Sequence, residues 1–322
     1  MVTIAQPMMH VHHEATPPEV SVAIVAWNGR YLVERCLRCL ITSRGVELDI
    51  TVVDNASTER TDALHHDFPT VRFLRSDRNL GFAGANNLAL QDASGRHLLV
   101  LNPDCFVKPD TIAILVHALS MRPKAGAVGP CLTYEDGTLQ YSTFRDVTPA
   151  TLLWEYFLLD HRFPNHRLAG RYSASEYGHA HPVDGILGAC LLVRGEAARQ
   201  VGLFDDSFFM YCEEVDWCLR LRHAGWQLWY EPAARAVHLA GAITSTVYGR
   251  MFVALHRSRF HLYAKHMSPG TARLLRLITR AGLYYQLLWA MKEMARRRLP
   301  PGMFVQRLRT FRQVILMPAP PS

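Results

Sequence analysis

Two rhythms of apolar and polar positions alternate through the first 140 residues or so. Val20–Ala26 is a nearly continuous, β-branched apolar run, the pattern of a parallel strand buried on both faces, and it ends at Trp27-Asn28-Gly29. Leu32, Cys36, Leu37 and Leu40 then recur at helical spacing. The run Leu48–Val53 closes on Asp54-Asn55-Ala56-Ser57, a helical segment over 60–67 leads to a third strand at 71–74, and a helix is predicted at about 84–93. His97–Leu101 reads as a buried strand ending in Asn102-Pro103-Asp104, followed by a helix over 111–119, a strand over 125–130 and a hairpin across Glu135-Asp136-Gly137. Strand and helix in alternation with short joints predict a doubly wound α/β sheet, whose ligands sit at the carboxyl ends of the strands.

The polar residues fall at those ends. Asn28 and Asp54 each follow directly on an apolar strand and would project into a crevice where a nucleotide can lie; Asn, Asp and Ser also suit such joints for turn chemistry alone. Asn79-Leu80-Gly81-Phe82-Ala83-Gly84-Ala85-Asn86-Asn87 sets glycines and small residues ahead of a helix, so backbone can approach a ligand closely and the helix N-terminus favours an anion. It is neither a dinucleotide fingerprint nor a P-loop, which excludes a nicotinamide-dependent oxidoreductase on this sheet. Asp104, at a strand end beside that anion site, is what a hard divalent cation bridging a diphosphate needs. Asp184, ahead of Gly185 and a strand over 189–193, is a candidate for a sugar hydroxyl or a plain turn residue.

The densest chemistry lies at Phe204–Trp217. Glu213, Glu214 and Asp216 stand within four residues behind an aromatic run, and mutual repulsion raises at least one pKa towards the range of a general base. Val215, Cys218, Leu219 and Leu221 against Arg220 and Arg222 predict a helix that stops at Gly225, with the acids at its N-terminus, where negative charge is favoured in any case. The segment 145–180, where Trp154, Tyr156, Phe157 and Phe163 mix with His161, His166 and Arg167, reads as an acceptor-side loop.

Taken in order, Val53–Ser57, Asn79–Asn87, Leu101–Asp104, Gly129-Pro130, Asp136-Gly137, Val183-Asp184 with Gly188–Arg194, the acidic stretch and Ala236–Gly241 resemble family 2 glycosyltransferases over residues 20–245, most nearly the bacterial branch that transfers rhamnose from dTDP-rhamnose in cell-envelope polysaccharide assembly. The resemblance implies a GT-A fold: a Rossmann-like, doubly wound mixed sheet with a nucleotide-binding half at about 20–130 and an acceptor-binding half at about 131–249. It implies that Asp54 contacts the base, that Asn79, Gly81, Asn86, Asn102 and Asp184 lie on the donor, and that Asp104 and His238 hold a Mg²⁺ or Mn²⁺ ion. It further implies that Glu214 is the base, with Glu213 and Asp216 orienting it or the acceptor. Two positions depart from the pattern: Asn102 replaces the first carboxylate of the metal motif, and Gly185 stands where similar sequences often carry Trp. A base acting with a stabilised diphosphate leaving group points to a single inverting displacement.

Charge sharpens the picture at the C-terminus. The chain carries +7, yet from Arg250 onward there are fourteen Lys/Arg against one acid, Glu293. Leu274, Ile278, Ala281, Tyr285 and Leu288 recur at helical spacing with Arg273, Arg276 and Arg280 on another side, so 250–322 reads as a basic helical extension, either an amphipathic membrane-surface element or helices packed on the catalytic domain. No nucleic-acid recognition module accompanies the charge. A peripheral site on the inner face of the cell membrane would suit a glycan or polyprenyl-diphosphate-linked acceptor. Seven cysteines without paired C-x-x-C spacing read as reduced thiols of a cytoplasmic protein. Residues 1–19, with three His, three Pro and no Lys or Arg, read as a disordered leader. A UDP-hexose donor on the same fold, and a catalytically idle nucleotide-binding scaffold, are the competing readings.

Overall fold

The computed structural model of the chain describes residues 2–4, 18–163, 166–241 and 248–320. In chain order the elements are β1 (Val2–Ile4), β2 (Val20–Ala26), α1 (Arg30–Leu40), β3 (Leu48–Asn55), β4 (Arg72–Ser76), α2 (Gly81–Leu90), β5 (His97–Leu101), β6 (Cys105–Val107) and α3 (Thr111–Ser120). There follow β7 (Ala125–Thr133), β8 (Leu139–Gln140), β9 (Thr143–Phe144), α4 (Pro149–Tyr156), α5 (Leu159–Arg162), β10 (His181–Val183), β11 (Gly185–Ile186) and β12 (Cys190–Arg194). The remainder comprises α6 (Gly195–Val201), α7 (Glu213–His223), β13 (Gln227–His238), α8 (Tyr248–His266), α9 (Pro269–Ala295) and α10 (Pro301–Ile315).

One sheet runs β1-β4-β3-β2-β5-β12-β7-β13-β10, with β6 on β13 and β8 on β7. Strands β2 to β5 are mutually parallel, as their two-sided burial requires, while β12 enters antiparallel between β5 and β7, so the sheet is mixed. Register sets Ala26 beside Asp54 and Ile24 beside Leu101, so Asp54, near the end of β3, and Asn28 and Asn102, just past β2 and β5, gather at the carboxyl ends of the strands. Strand β13 is long because an irregularity between Glu231 and Arg235, where Pro232 has no amide to donate, lets its second half reach β6. That pairing sets His238 opposite Cys105.

The chain forms two compact units. The first comprises Met1–Phe144, Ser175–Phe209 and Glu213–Ile243; the second comprises Arg145–Ala174, Met210–Cys212 and Thr244–Ser322. The expected division near 249/250 thus runs differently: part of the segment read as an acceptor-side loop joins the C-terminal helices. Its helix α4 starts from a reciprocal Thr148–Thr151 cap with Pro149 in the first turn, and Leu152 and Tyr156 share a core with Phe260, Tyr263, Leu275 and Leu283. Gly282 admits this packing, since a Cβ there would lie 2.3 Å from that of Tyr156. The Tyr156 hydroxyl meets His256 Nε2 at 2.7 Å and accepts from Arg259 at 3.0 Å. Of the leader, Val2–Ile4 pairs with β4 and 5–17 lies outside the described residues.

Candidate active site

The acidic stretch is held in place by α2. Asn87 clamps Phe204 from both sides, its Nδ2 donating to the Phe204 carbonyl (2.8 Å) and its Oδ1 accepting from the Phe204 amide (3.0 Å). The Phe82 amide donates to the Phe209 carbonyl at 2.8 Å. Gly81, at φ 75°, has that carbonyl where a side chain would begin: a Cβ would lie 2.1 Å from the oxygen. The close approach that this glycine permits is therefore to the protein's own backbone, and α2 begins at Gly81 rather than near 84.

From there Tyr211 and Cys212 both take left-handed φ of 68°, a conformation that costs about 1–2 kcal/mol for each non-glycine residue, and Glu213 opens α7. The buried face of α7 carries Glu213, Asp216, Trp217, Cys218 and Leu221. Asp216 is directed to Arg220 Nε at 2.7 Å, and the Arg220 guanidinium in turn bonds the carbonyls of Val201 and Leu203, so Asp216 is tied to a loop anchor. Glu213 and Glu214 differ: Oε2 of each is buried without a hydrogen-bond partner. Burial, then the charge of Glu214, holds Glu213 well above the usual carboxylate range, and burial raises Glu214 as well. Two proton-avid carboxyls at a helix start, each with one oxygen left unpartnered, are suited to accept a proton from a bound hydroxyl.

Gly188 connects these acids to the strand ends. A Cβ on it would lie 3.4 Å from Glu214 Cβ and 3.7 Å from the Phe82 ring, while the carbonyl of the next residue, Ala189, accepts from the Asn102 amide at 2.9 Å. Two residues beyond Asn102, Asp104 is buried, and its Oδ1 lies 3.3 Å from His238 Nε2. The His238 tautomer is set from behind. Gln140 turns its amide nitrogen to the His238 carbonyl (3.5 Å), so its Oε1 accepts from Nδ1–H at 2.7 Å. Nε2 thereby keeps a lone pair that faces the Asp104 carboxylate and the Asn102 amide, 3.4 Å away.

Two Lewis bases facing one another fit a cation placed between them. Among the described residues no group of three or more His, Cys, Asp or Glu is arranged to hold a metal ion, so this pair offers two ligands of a shell that oxygens of a bound diphosphate and water would have to complete.

The remaining sequence-predicted residues serve the joints. Asp54, buried, accepts from Arg75 (2.5 Å) and from the amides of Ser57 and Thr61. Asn28, at φ 64°, bridges to Ser57 and Thr58. Asn79 Oδ1 accepts from Asn55 and from the Gly81 amide. Asn86 bonds Phe82 through Nδ2 and leaves a buried Oδ1 without a partner. Asp184 faces Arg222 at 3.6 Å. Gly185 is explained by Phe144, whose ring would lie 1.9 Å from a Cβ there; an aromatic from β9 covers the position where similar sequences place Trp. A cavity of about 450 Å³ bordered by Arg78, Asn79, Gln91 and Asp206 includes none of Glu213, Glu214, Asp104 or His238 among its lining residues. Sequence reasoning passed over Gln140 as a site residue and did not single out Asn55, whose Oδ1 accepts from Leu80 at 2.7 Å while its Nδ2 donates to the Gly81 carbonyl.

Residues 21–178 match the family described as Glycosyl transferase family 2. An N-acetylglucosaminyl-diphospho-decaprenol L-rhamnosyltransferase of Mycobacterium tuberculosis is 31% identical over 275 residues, 81% of this chain and 89% of that protein. The chain belongs to glycosyltransferase family 2. Within the family it is also similar to rhamnosyltransferase WbbL of Escherichia coli K12, at 28% identity over 58% of this chain and 70% of that one. This transferase has the GT-A fold: the mannosyltransferase PcManGT of Pyrobaculum calidifontis, solved with GDP-Man and Mn²⁺, superposes with a TM-score of 0.58 at 16% identity, over 97% of this chain and 91% of that one.

Proposed function

We propose that this transferase moves L-rhamnose from dTDP-rhamnose to a hydroxyl of a lipid-diphosphate-linked glycan in envelope polysaccharide synthesis, with inversion at the anomeric carbon. The observation that carries the reading is the pair of carboxyls Glu213 and Glu214, each with a buried, unpartnered Oε2, of which Glu214 lies next to Gly188, one residue from the backbone that holds Asn102. Sugar and acceptor class are supported by the two rhamnosyltransferase relatives, one of which is named for a decaprenyl-diphosphate acceptor.

In the reaction, Glu214 takes the proton of the acceptor hydroxyl as its oxygen forms the new bond to C1. The bond from C1 to the diphosphate oxygen breaks, and dTDP leaves. Glu213, next to it and held by burial above the usual carboxylate range, keeps the local charge low until the proton arrives. Asp104 and His238 would hold a divalent cation, which when bound supplies positive charge to the departing diphosphate. Asp54 and Asn28 form the floor at the nucleotide edge. Among the described residues no helix is long and apolar enough to cross a membrane. The basic C-terminal helices support a reading in which the lipid-linked acceptor is met at the cytoplasmic membrane surface.

The test is thermal stabilisation of the purified protein by dTDP, UDP, GDP and NAD, each with and without Mg²⁺ or Mn²⁺. A ligand at 100 times its dissociation constant adds about 2.7 kcal/mol. Metal-dependent stabilisation by dTDP above UDP is expected. A preference for UDP transfers the reading to a hexose donor; turnover unchanged in Glu214→Gln, or nucleotide binding without transfer to any acceptor, overturns it.

A further inference from the structure

Helix α9 has two apolar faces, and only one is packed. Ala272, Leu275, Ile278, Leu283, Leu287 and Ala290 are buried. On the opposite side Leu277 (63% exposed), Tyr284 (55%), Leu288 (65%) and Met291 (49%) succeed one another at steps of seven, four and three residues, which keeps them on one helix face, with Trp289 (45%) on the flank. At 1.5 Å per residue this stripe is about 21 Å long. A row of large exposed apolar side chains on one helix face marks an interaction surface. Arg273 stands at one end and Lys292 with Arg296, Arg297 and Arg298 at the other, all exposed. The only acid of the helix, Glu293, faces Arg296 at 3.6 Å and Arg298 at 3.8 Å.

We infer that this bare face of α9 lies in the interface of an anionic lipid bilayer, its leucines and Met291 among the acyl chains, Tyr284 and Trp289 at headgroup level, and the basic residues at either end against lipid phosphate. The inference rests on the membrane-surface part of the proposed function and names the face and the lipid charge. Charge selects this occupant over a second copy of the chain. In an antiparallel pair Arg273 would meet the partner's basic C-terminal end, and in a parallel pair each basic end would meet its own copy, with no free carboxylate on the helix to offset either. An anionic bilayer offers both an apolar interior and fixed negative charge.

Flotation of the full chain with vesicles of phosphatidylglycerol mixed into phosphatidylcholine, against pure phosphatidylcholine, tests it. Binding is expected to the anionic vesicles, weakened but not abolished by salt, since apolar insertion is not screened. The double variant Leu277→Ser, Leu288→Ser should bind about tenfold or more weakly, with its melting temperature and its stabilisation by dTDP unchanged, because both side chains are exposed. Equal binding by the double variant, no vesicle binding by the wild type, or a wild-type dimer that the variant converts to monomer would each overturn the inference. A protein that responds to dTDP but ignores vesicles refutes this docking face alone; one that binds vesicles but no nucleotide refutes the donor reading alone.

Discussion

The contact most open to a quantitative test is the one behind His238. Gln140→Leu removes the oxygen that accepts from Nδ1–H at 2.7 Å, in a place where both residues are buried. Left in place, that N–H would be a buried donor without a partner, at a cost of about 1–3 kcal/mol. The ring avoids the penalty by moving its proton to Nε2, where Asp104 Oδ1, 3.3 Å away, is the acceptor. The lone pair that faced the carboxylate is then gone, and a metal ion must displace a proton to bind. Loss of a group that orients a metal-ligating histidine typically weakens metal binding 10–100-fold, which is about 1.4–2.7 kcal/mol.

Mn²⁺ titration followed by the electron paramagnetic resonance of the free ion, in the presence of dTDP, reads this directly and without turnover. The variant should bind Mn²⁺ at least tenfold more weakly, with dTDP binding in the absence of metal unchanged. Gln140→Glu, which keeps an acceptor at Nδ1, should lose less than Gln140→Leu, although its second oxygen faces the His238 carbonyl. Wild-type Mn²⁺ affinity in Gln140→Leu would refute both the tautomer argument and the assignment of His238 as a ligand.

Four further outcomes follow from the geometry. Glu214→Gln should lower kcat by about 10²–10⁴. In Glu213→Gln, burial no longer opposes a charge: the raised native pKa makes wild-type stability full below the ordinary carboxylate pKa and lost as pH rises through the raised value, so by calorimetry the variant's Tm should exceed the wild type's at alkaline pH. Gly81→Ala should destabilise to urea by more than the roughly 1–2 kcal/mol of a left-handed alanine, because its Cβ would also displace the Phe209 carbonyl; a smaller loss would show that the clamp on the acidic stretch is slack. Burial lowers the His256 pKa to about 4. The unfolded chain therefore binds a proton that the folded one does not between about 4 and 6.5, stability climbs with pH across that window, and His256→Gln should flatten the climb by up to about 3 kcal/mol in urea titrations at several pH values.

The strands of the parallel half were legible because two-sided burial writes itself as continuous apolar runs: every residue of β5 is buried, and β2 is buried at all but one position. The placement of polar residues at strand ends was legible for the same reason. Helix α4 was not, because its start is marked by Thr148-Pro149 with Thr151 as the reciprocal cap, a weaker signal than an acid at that position, and its aromatics resembled a binding loop. Gln140 carried no signal at all: its role exists only because β8 pairs with β7 and β13 reaches back to β6, contacts that join residues 98 apart in sequence. Within the acidic stretch, spacing alone does not rank the three carboxylates; the family resemblance points to Glu214, and their surroundings set Asp216 apart from the two glutamates.

That separation also accounts for the sequence around them. A helix start tolerates acids anywhere in its first turn, so three together need not imply chemistry. What distinguishes this turn is that Asp216 is bonded to Arg220 while Glu213 and Glu214 keep buried oxygens without partners, after two successive residues held in the left-handed region. Each of these features reduces stability: desolvated carboxyls by burial, Tyr211 and Cys212 by backbone conformation. Met210, which begins the strained turn, has its carbonyl fixed by the Ser258 hydroxyl at 2.7 Å, and the aromatic loop before it is fixed by Asn87 and Phe82. A segment destabilised at its centre and anchored on both sides is what a fold retains when the reactivity of the centre is used. The same surroundings make Glu214, rather than Asp216, the group able to take up a proton.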